Sequence, residues 1–70
     1  MNIKIIKRYL ISKIGSRIVV IYYGSRNRKE RYIGTLYKVY NNIFTIILDN
    51  NEIKSFNLID ILTKTIQLYI

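Results

Sequence analysis

The stretch IGTLYKVYNNIFTIILDN, residues 33–50, predicts two strands joined by a tight turn. Both of its apolar segments are rich in β-branched and aromatic residues, which are the residue types enriched in strands. The Asn41-Asn42 pair between the segments predicts a hairpin turn, because asparagine tolerates positive φ. Gly34 predicts a bend or bulge, which a small β-barrel needs where one long strand serves both halves of the sheet.

The segments on either side of this hairpin complete a pattern of one helix followed by five strands. Residues 3–14 predict a helix that Gly15 ends. The alternation of apolar runs and turn residues predicts strands at residues 17–23, 30–40, 43–48, 52–56 and 61–69. Residues 57–60 are left as a short connection, with a single turn of 3₁₀ helix as an option. We expect one domain over residues 1–70 that is mainly β: a small five-stranded SH3-like or Sm-like barrel at residues 16–70 with a short N-terminal α-helix.

The helix carries an apolar stripe at helical spacing, formed by Ile3, Ile6, Leu10 and Ile14. A helix of this length is marginal in water, so we expect it to dock on the sheet. The alternative, a membrane-surface anchor, is favoured by its basic residues but not by its length. The strand at residues 17–23 is apolar on both faces, which predicts that one face lines the core and the other lies under the helix.

The charge is unevenly distributed along the chain. The net charge is +8, and residues 1–31 hold nine cations and one acid, whereas residues 32–70 hold three of each. A segregated positive charge is typical of proteins that bind polyanions, although net charge also serves solubility. No apolar run is long enough to span a membrane, and cations interrupt the N-terminal apolar segment, which argues against a signal peptide. We therefore expect a cytoplasmic protein that does not enter membranes.

The positive charge is densest in GSRNRKERY, residues 24–32. We interpret this segment as a hairpin tip that contacts nucleic-acid phosphates, since arginine suits bidentate phosphate binding. The alternative is a solvated turn in which Glu30 pairs weakly with a neighbouring cation. The predicted phosphate contacts in the segment are Arg26, Arg28, Lys29 and Arg31. Further cations that would extend the same positive surface are Arg17, Lys4, Lys7 and Arg8.

Two tyrosines flank the basic segment, Tyr23 before it and Tyr32 at its end. Aromatic rings among cations stack on the bases of single strands, so we include both residues in the predicted nucleic-acid site. The alternative is that these rings are packed within the sheet, as tyrosines often are.

Catalytic and metal-binding chemistry find little support in the composition. The chain has no histidine and no cysteine to act as base, nucleophile or soft metal ligand. Asp49 and Glu52 flank one turn, but two carboxylates are too few for a specific metal site. Asp60 suits a local turn cap. We expect neither an enzyme nor a bound cofactor or metal.

Residues 33–50 resemble the glycine-x-leucine strand and hairpin of Sm-type proteins. Tyr40 and Phe44 stand where uridine-binding members have Asp and Asn, which argues against uridine recognition in that manner. A more specific resemblance is to the Veg family, small cytoplasmic proteins of Gram-positive bacteria and their relatives. It covers about residues 4–68 and is carried by IGSRI (14–18), GSRNRKERYIGTL (24–36), Tyr40 with Phe44, Leu48-Asp49 and SFNLIDILTKTIQL (55–68).

The Veg resemblance implies a small SH3-like barrel, no catalytic activity, and a regulatory role. That role is the stimulation of biofilm formation by interference with a transcriptional repressor. Two functions remain open: a nucleic-acid-binding module that contacts RNA or DNA through phosphates, and a protein-interaction module that engages a transcriptional regulator. Self-association through strand edges is a further alternative.

Overall fold

A computed structural model of the protein describes residues 2–24 and 28–70. The chain forms two helices and five strands: α1 Ile3–Ser12, β1 Arg17–Tyr23, β2 Lys29–Val39, β3 Ile43–Leu48, β4 Ile53–Asn57, α2 Ile59–Leu62 and β5 Ile66–Tyr69. The strands pair antiparallel in one sheet of order β4-β3-β2-β1-β5. The prediction of a mainly β fold with five strands and a short N-terminal helix is confirmed.

One buried cluster lies on the concave side of the sheet and draws on every strand. Phe56 on the β4 edge and Ile66 on the β5 edge both belong to it, and α2 contacts both edge strands, so the sheet curves around the core. The pairing links neighbouring strands only, and within the described residues β4 and β5 are the two edges. Closure into a barrel therefore stays a prediction. The core is Ile6, Leu10, Ile18, Val20, Leu36, Phe44, Ile46, Phe56, Leu58 and Ile66.

Helix α1 packs on this concave side. Asn2 caps it by accepting a hydrogen bond from the Ile5 N–H, and Ile6 and Leu10 enter the core. The helix ends at Ser12 rather than at residue 14, so Ile14 is exposed and the predicted stripe is one residue too long. Gly15 lies at φ +93°, a conformation that glycine adopts without strain, and directs the chain into β1. Docking of the helix on the sheet is confirmed.

The helix covers the same side of the sheet as the core, which corrects the expectation for β1. Ile18 and Val20 are buried together with α1 residues, whereas Val19 and Ile21 on the opposite face are half-buried and Tyr23 is exposed. The second face of β1 therefore does not lie under the helix. It forms part of the convex outer surface of the sheet.

Gly34 has a different role from the bend that the sequence suggested. The register shift in β2 lies between Leu36 and Lys38, not at Gly34. A Cβ atom on Gly34 would overlap the carbonyl group of Ile47 on β3 and lie 3.1 Å from the Leu48 Cα. The position requires glycine because two backbones approach closely there.

The turn at Asn41-Asn42 forms as predicted, with the Tyr40 N–H donating to the Ile43 carbonyl at 2.8 Å. Neither asparagine adopts positive φ, however. That conformation occurs at Asn51, φ 70°, in the next turn, and at Lys64, φ 62°.

The prediction of a strand over residues 61–69 is wrong in its first half. Leu58 is buried and Ile61 and Leu62 pack against the core at helical spacing, so the chain forms α2 there instead. The Thr63 N–H donates to the Ile59 carbonyl, and the positive φ of Lys64 ends the helical segment. Strand pairing with β1 begins only beyond this turn, and β5 is short as a result.

None of the helices in the described part of the chain is long and apolar enough to cross a membrane.

Candidate nucleic-acid interface

The convex face of the sheet carries a group of aromatic, amide and cationic side chains, which we call the outer-face cluster. Its members come from three neighbouring strands: Tyr23 from β1, Lys29 and Arg31 from β2, and Gln67 and Tyr69 from β5. Successive side chains of a strand point to opposite faces, and Val20, three positions before Tyr23, and Ile66, next to Gln67, are buried on the core side. The cluster therefore faces solvent.

The strand register places these five residues side by side. Tyr23 is opposite Lys29, and Ile21 is opposite Arg31 on one side and Gln67 on the other. Side chains directly opposite each other on one face have Cβ atoms about 5 Å apart. Arg31 and Gln67 thus flank Ile21. Lys29 is directly opposite Tyr23, and Arg31 is its diagonal neighbour on the same face.

Gln67 accepts hydrogen bonds from both tyrosines of the cluster. The Tyr23 hydroxyl donates to Gln67 Oε1 at 3.0 Å, and the Tyr69 hydroxyl donates to the same oxygen at 3.2 Å. The Lys29 Nζ lies 5.9 Å from the centroid of the Tyr23 ring. Tyr23 and Tyr69 remain 38% and 56% exposed, so each ring is positioned by its hydroxyl and still offers a free surface.

Glu30, the single acid of the basic segment, points away from the outer-face cluster. It accepts a hydrogen bond from the Tyr32 hydroxyl at 2.5 Å, on the core side of β2. This bond, together with burial and the carboxylate charge, raises the pKa of Tyr32 above its ordinary value. Within residues 2–24 and 28–70, no carboxylate lies within ion-pair distance of Lys29 or Arg31. The two cations keep their charge available for a ligand.

The Tyr32 side chain packs against residues of the fold. Its ring packs edge-on against Phe56, with 5.5 Å between centroids, and the Lys54 Nζ lies 5.1 Å from the Tyr32 centroid. The structure thus places Tyr32 on the opposite face from Tyr23, and it does not join the outer-face cluster.

Arg17 lies on the outer face but at the far end of β1, six residues from Tyr23 and thus about 20 Å away. Its guanidinium donates to Asp49 Oδ1 at 2.8 Å and to Oδ2 at 3.4 Å. The hydrogen bond and the opposite charge lower the pKa of Asp49 and raise that of Arg17. Arg17 is therefore separate from the outer-face cluster in both position and charge.

The helix cations are likewise elsewhere. Lys7 donates from Nζ to Asn41 Oδ1 at 2.8 Å, beside the β2–β3 hairpin, and Lys4 and Arg8 are exposed on α1. Because α1 packs on the concave side, these three residues do not share a surface with Lys29 and Arg31. Arg28 is exposed next to Lys29, and its carbonyl accepts from the Gly24 N–H at 2.8 Å. Arg26 lies outside the described residues.

A family model described as "Biofilm formation stimulator VEG" matches residues 1–69 of the chain. The chain belongs to the Veg family. The resemblance seen in the sequence is thereby confirmed, and this Veg chain is a biofilm formation stimulator by family. No curated protein matches the chain.

Sequence reasoning missed two members of the outer-face cluster of this Veg chain, Gln67 and Tyr69. Their spacing of two residues within the predicted last strand is a signal that they share a face. What the sequence did not show is that β5 pairs with β1, since the hydrogen bond from Tyr23 to Gln67 joins residues 44 positions apart.

Chemically, the outer-face cluster combines what single-stranded nucleic acid requires. Lysine and arginine are residues that bind phosphate oxygens, exposed rings are able to stack on bases, and the N–H₂ group of Gln67 is a donor suited to a base or sugar oxygen.

Proposed function

We propose that this Veg protein is a non-enzymatic regulatory module that binds nucleic acid through the outer-face cluster, in the cytoplasm, as part of its role in biofilm formation. One observation supports this most. Lys29 and Arg31 share a face with Tyr23 and Tyr69, while Glu30 is bonded to Tyr32 on the opposite face. Positive charge and exposed aromatic surface therefore occur together without an acid beside them.

The bound species is a single strand, RNA or DNA, with little sequence preference. Stacking on Tyr23 or Tyr69 needs an unpaired base, because duplex bases are covered by their neighbours. Phosphates would bind Lys29 and Arg31, and Arg28 at the end of the hairpin would add a further contact. Stacking tolerates any base, so discrimination among bases is expected to be weak.

The test compares two double variants that lose the same charge. Lys29→Gln/Arg31→Gln removes two cations of the outer-face cluster, and Lys4→Gln/Arg8→Gln removes two from the helix. Binding of a fluorescein-labelled 12-nucleotide single strand is followed by anisotropy from about 50 to 200 mM salt. For single strands each phosphate contact contributes about 0.7 to the slope of log K against log salt.

We expect the slope to fall by about 1.4 in the first variant, from two lost contacts, and by much less in the second. Tyr23→Leu should weaken binding about fivefold or more without changing the slope, since stacking is worth about 1–3 kcal/mol per base. Equal losses in the two double variants would show that net charge alone drives binding and would refute a site on the outer face.

A second candidate is a protein-interaction module that antagonises a transcriptional repressor. The observation that favours it is apolar surface elsewhere on the same convex face, where Ile53 is 60% exposed and Ile33 is also exposed. A protein complex on this surface would survive moderate salt and nuclease treatment. A pulldown from lysate with and without nuclease separates the two functions, since only partners bridged by nucleic acid vanish on digestion.

A further inference from the structure

A cleft of about 590 Å³ separates helix α1 from strand β5. Exposed apolar side chains form its rim, including Tyr9, which is 52% exposed, and Ile5. Exposed apolar groups grouped along a cleft are a common feature of interaction sites. The lining residues are Ile5, Ile6, Tyr9, Leu10, Ile61, Lys64, Ile66, Gln67, Leu68 and Tyr69.

The wall of the cleft opposite the helix is an unpaired strand edge. In the described chain β5 pairs with β1 alone. The Tyr23 N–H donates to the Thr65 carbonyl, so Thr65 and, by antiparallel alternation, Gln67 and Tyr69 direct their backbone groups toward β1. Ile66 and Leu68 consequently direct their N–H and C=O groups outward, at the edge that borders the cleft.

An occupant that satisfies these groups must be extended. A strand laid against β5 would take up the outward hydrogen-bonding groups of Leu68 and place alternate side chains in the apolar cleft. Strand addition of this kind obtains its affinity from the main chain and its specificity from the pockets for alternate side chains.

The charge around the cleft indicates the chemistry of the partner side chains that alternate with those in the cleft. Its lining includes Lys64 and no carboxylate, and the Lys13 Nζ lies 5.8 Å from the centroid of the Tyr9 ring on the rim. The protein as a whole carries +8. A second copy of the chain would bring like charges together, whereas a segment with acidic residues would complement them.

We propose that the cleft between α1 and β5 binds an extended segment of a partner protein, with alternating apolar and acidic side chains, as an additional strand on β5. The proposal concerns a different class of partner from nucleic acid. It uses the unpaired edge of β5 and the apolar side chains of α1 rather than Lys29 and Arg31, although the cleft shares Gln67 and Tyr69 with the outer-face cluster.

The test uses a blocked eight-residue peptide that alternates valine and glutamate, with a valine–lysine peptide of the same length as its counterpart. Both are titrated into the ¹⁵N-labelled full-length protein. We expect the glutamate peptide to shift the amide signals of Ile66 and Leu68 and to slow hydrogen exchange at Leu68. The lysine peptide should bind at least about tenfold more weakly, because like charges oppose it.

Two matched variants locate the binding surface. Tyr9→Glu puts a negative charge on the rim of the cleft, and Ile53→Glu puts the same charge on the exposed β4 edge; both positions are solvent-exposed, so both variants should fold. We expect only Tyr9→Glu to weaken the glutamate peptide, by about tenfold. Equal weakening, shifts confined to β4, or absence of binding would overturn the proposal. So would a Leu68 amide that is already protected in the free protein through self-association.

Discussion

Replacing Gly34 with alanine tests the closest backbone contact in the sheet. The added Cβ would overlap the Ile47 carbonyl, and the atoms that it meets are backbone atoms of β3 that cannot rotate away. The strands must separate, which costs about 1–3 kcal/mol for overpacking. Loss of glycine's freedom in the unfolded chain offsets about 0.4–1 kcal/mol. Because the clash is with backbone, we place the net loss at about 2 kcal/mol, near half of the roughly 3–5 kcal/mol that a core of this size supplies.

Urea unfolding followed by circular dichroism measures this loss. With a slope near 1 kcal/mol/M, the lower end for small proteins, a loss of about 2 kcal/mol lowers the midpoint by about 2 M. Gly24→Ala is the control, because a Cβ there would meet only ordinary contacts, 3.4 Å from a Tyr22 ring carbon and 3.5 Å from the Arg28 Cβ. Its midpoint should change by less than about 0.5 M. A Gly34→Ala midpoint equal to that of Gly24→Ala would refute the close-approach argument.

Three further predictions concern ion pairing and the core. Arg17→Gln should raise the pKa of Asp49 toward its ordinary value, as an NMR titration would show; because the pair lowers that pKa, its stabilisation is present above about pH 4 and is lost as the pH falls through the lowered value. Glu30→Ala should lower the pKa of Tyr32, measured by absorbance at alkaline pH. The raised pKa in the native protein means that this bond stabilises the fold below about pH 10 and ceases to do so as the pH rises further. Leu10→Ala should cost about 2–5 kcal/mol, enough to unfold much of the protein at 25 °C by circular dichroism, whereas a melting curve like that of the native chain would contradict the docking of α1.

Strands β1 and β3 were predicted at their observed bounds, Arg17–Tyr23 and Ile43–Leu48, and the reason is local. Each is a dense run of β-branched and aromatic residues between turn residues, so propensity and chain punctuation agree. The helix was also evident from its periodicity, although it ends at Ser12, two residues before the predicted end. Where local signals agree with one another, the sequence alone is sufficient.

The segment around Ile61 and Leu62 lacked that agreement. Short apolar runs fit a buried strand and a single helical turn equally well. The segment forms a helical turn because Leu58 is buried in a core that residues from the other strands build. The same limitation applies to Gly34, where sequence indicated a special position but not its cause. The cause is the backbone of Ile47 on β3, which comes close to Gly34 only when the two strands pair.

The candidate site was predicted in part for a similar reason. Strand alternation, which is readable from sequence, is what separates Lys29 and Arg31 from Glu30. The rest of the outer-face cluster depends on which strands are neighbours, and no local pattern states that β1 lies between β2 and β5. The candidate residues of the β1–β2 hairpin were therefore found, and those contributed by β5 were missed.

The positions of the charged residues distinguish long-range attraction of a ligand from its orientation at the site. Net charge alone does not distinguish these two effects. The helix cations and the Arg17–Asp49 pair lie away from Lys29 and Arg31, so the +8 charge is spread over several surfaces. Under the proposed function, their combined field would attract a polyanion, but beyond about 8–10 Å it is screened at physiological salt and would not orient the ligand. Orientation must come from direct contact, and the outer-face cluster offers two cations beside two exposed rings that are fixed by hydrogen bonds to Gln67. Removal of helix charge should therefore slow association, whereas removal of Lys29 and Arg31 should hasten dissociation.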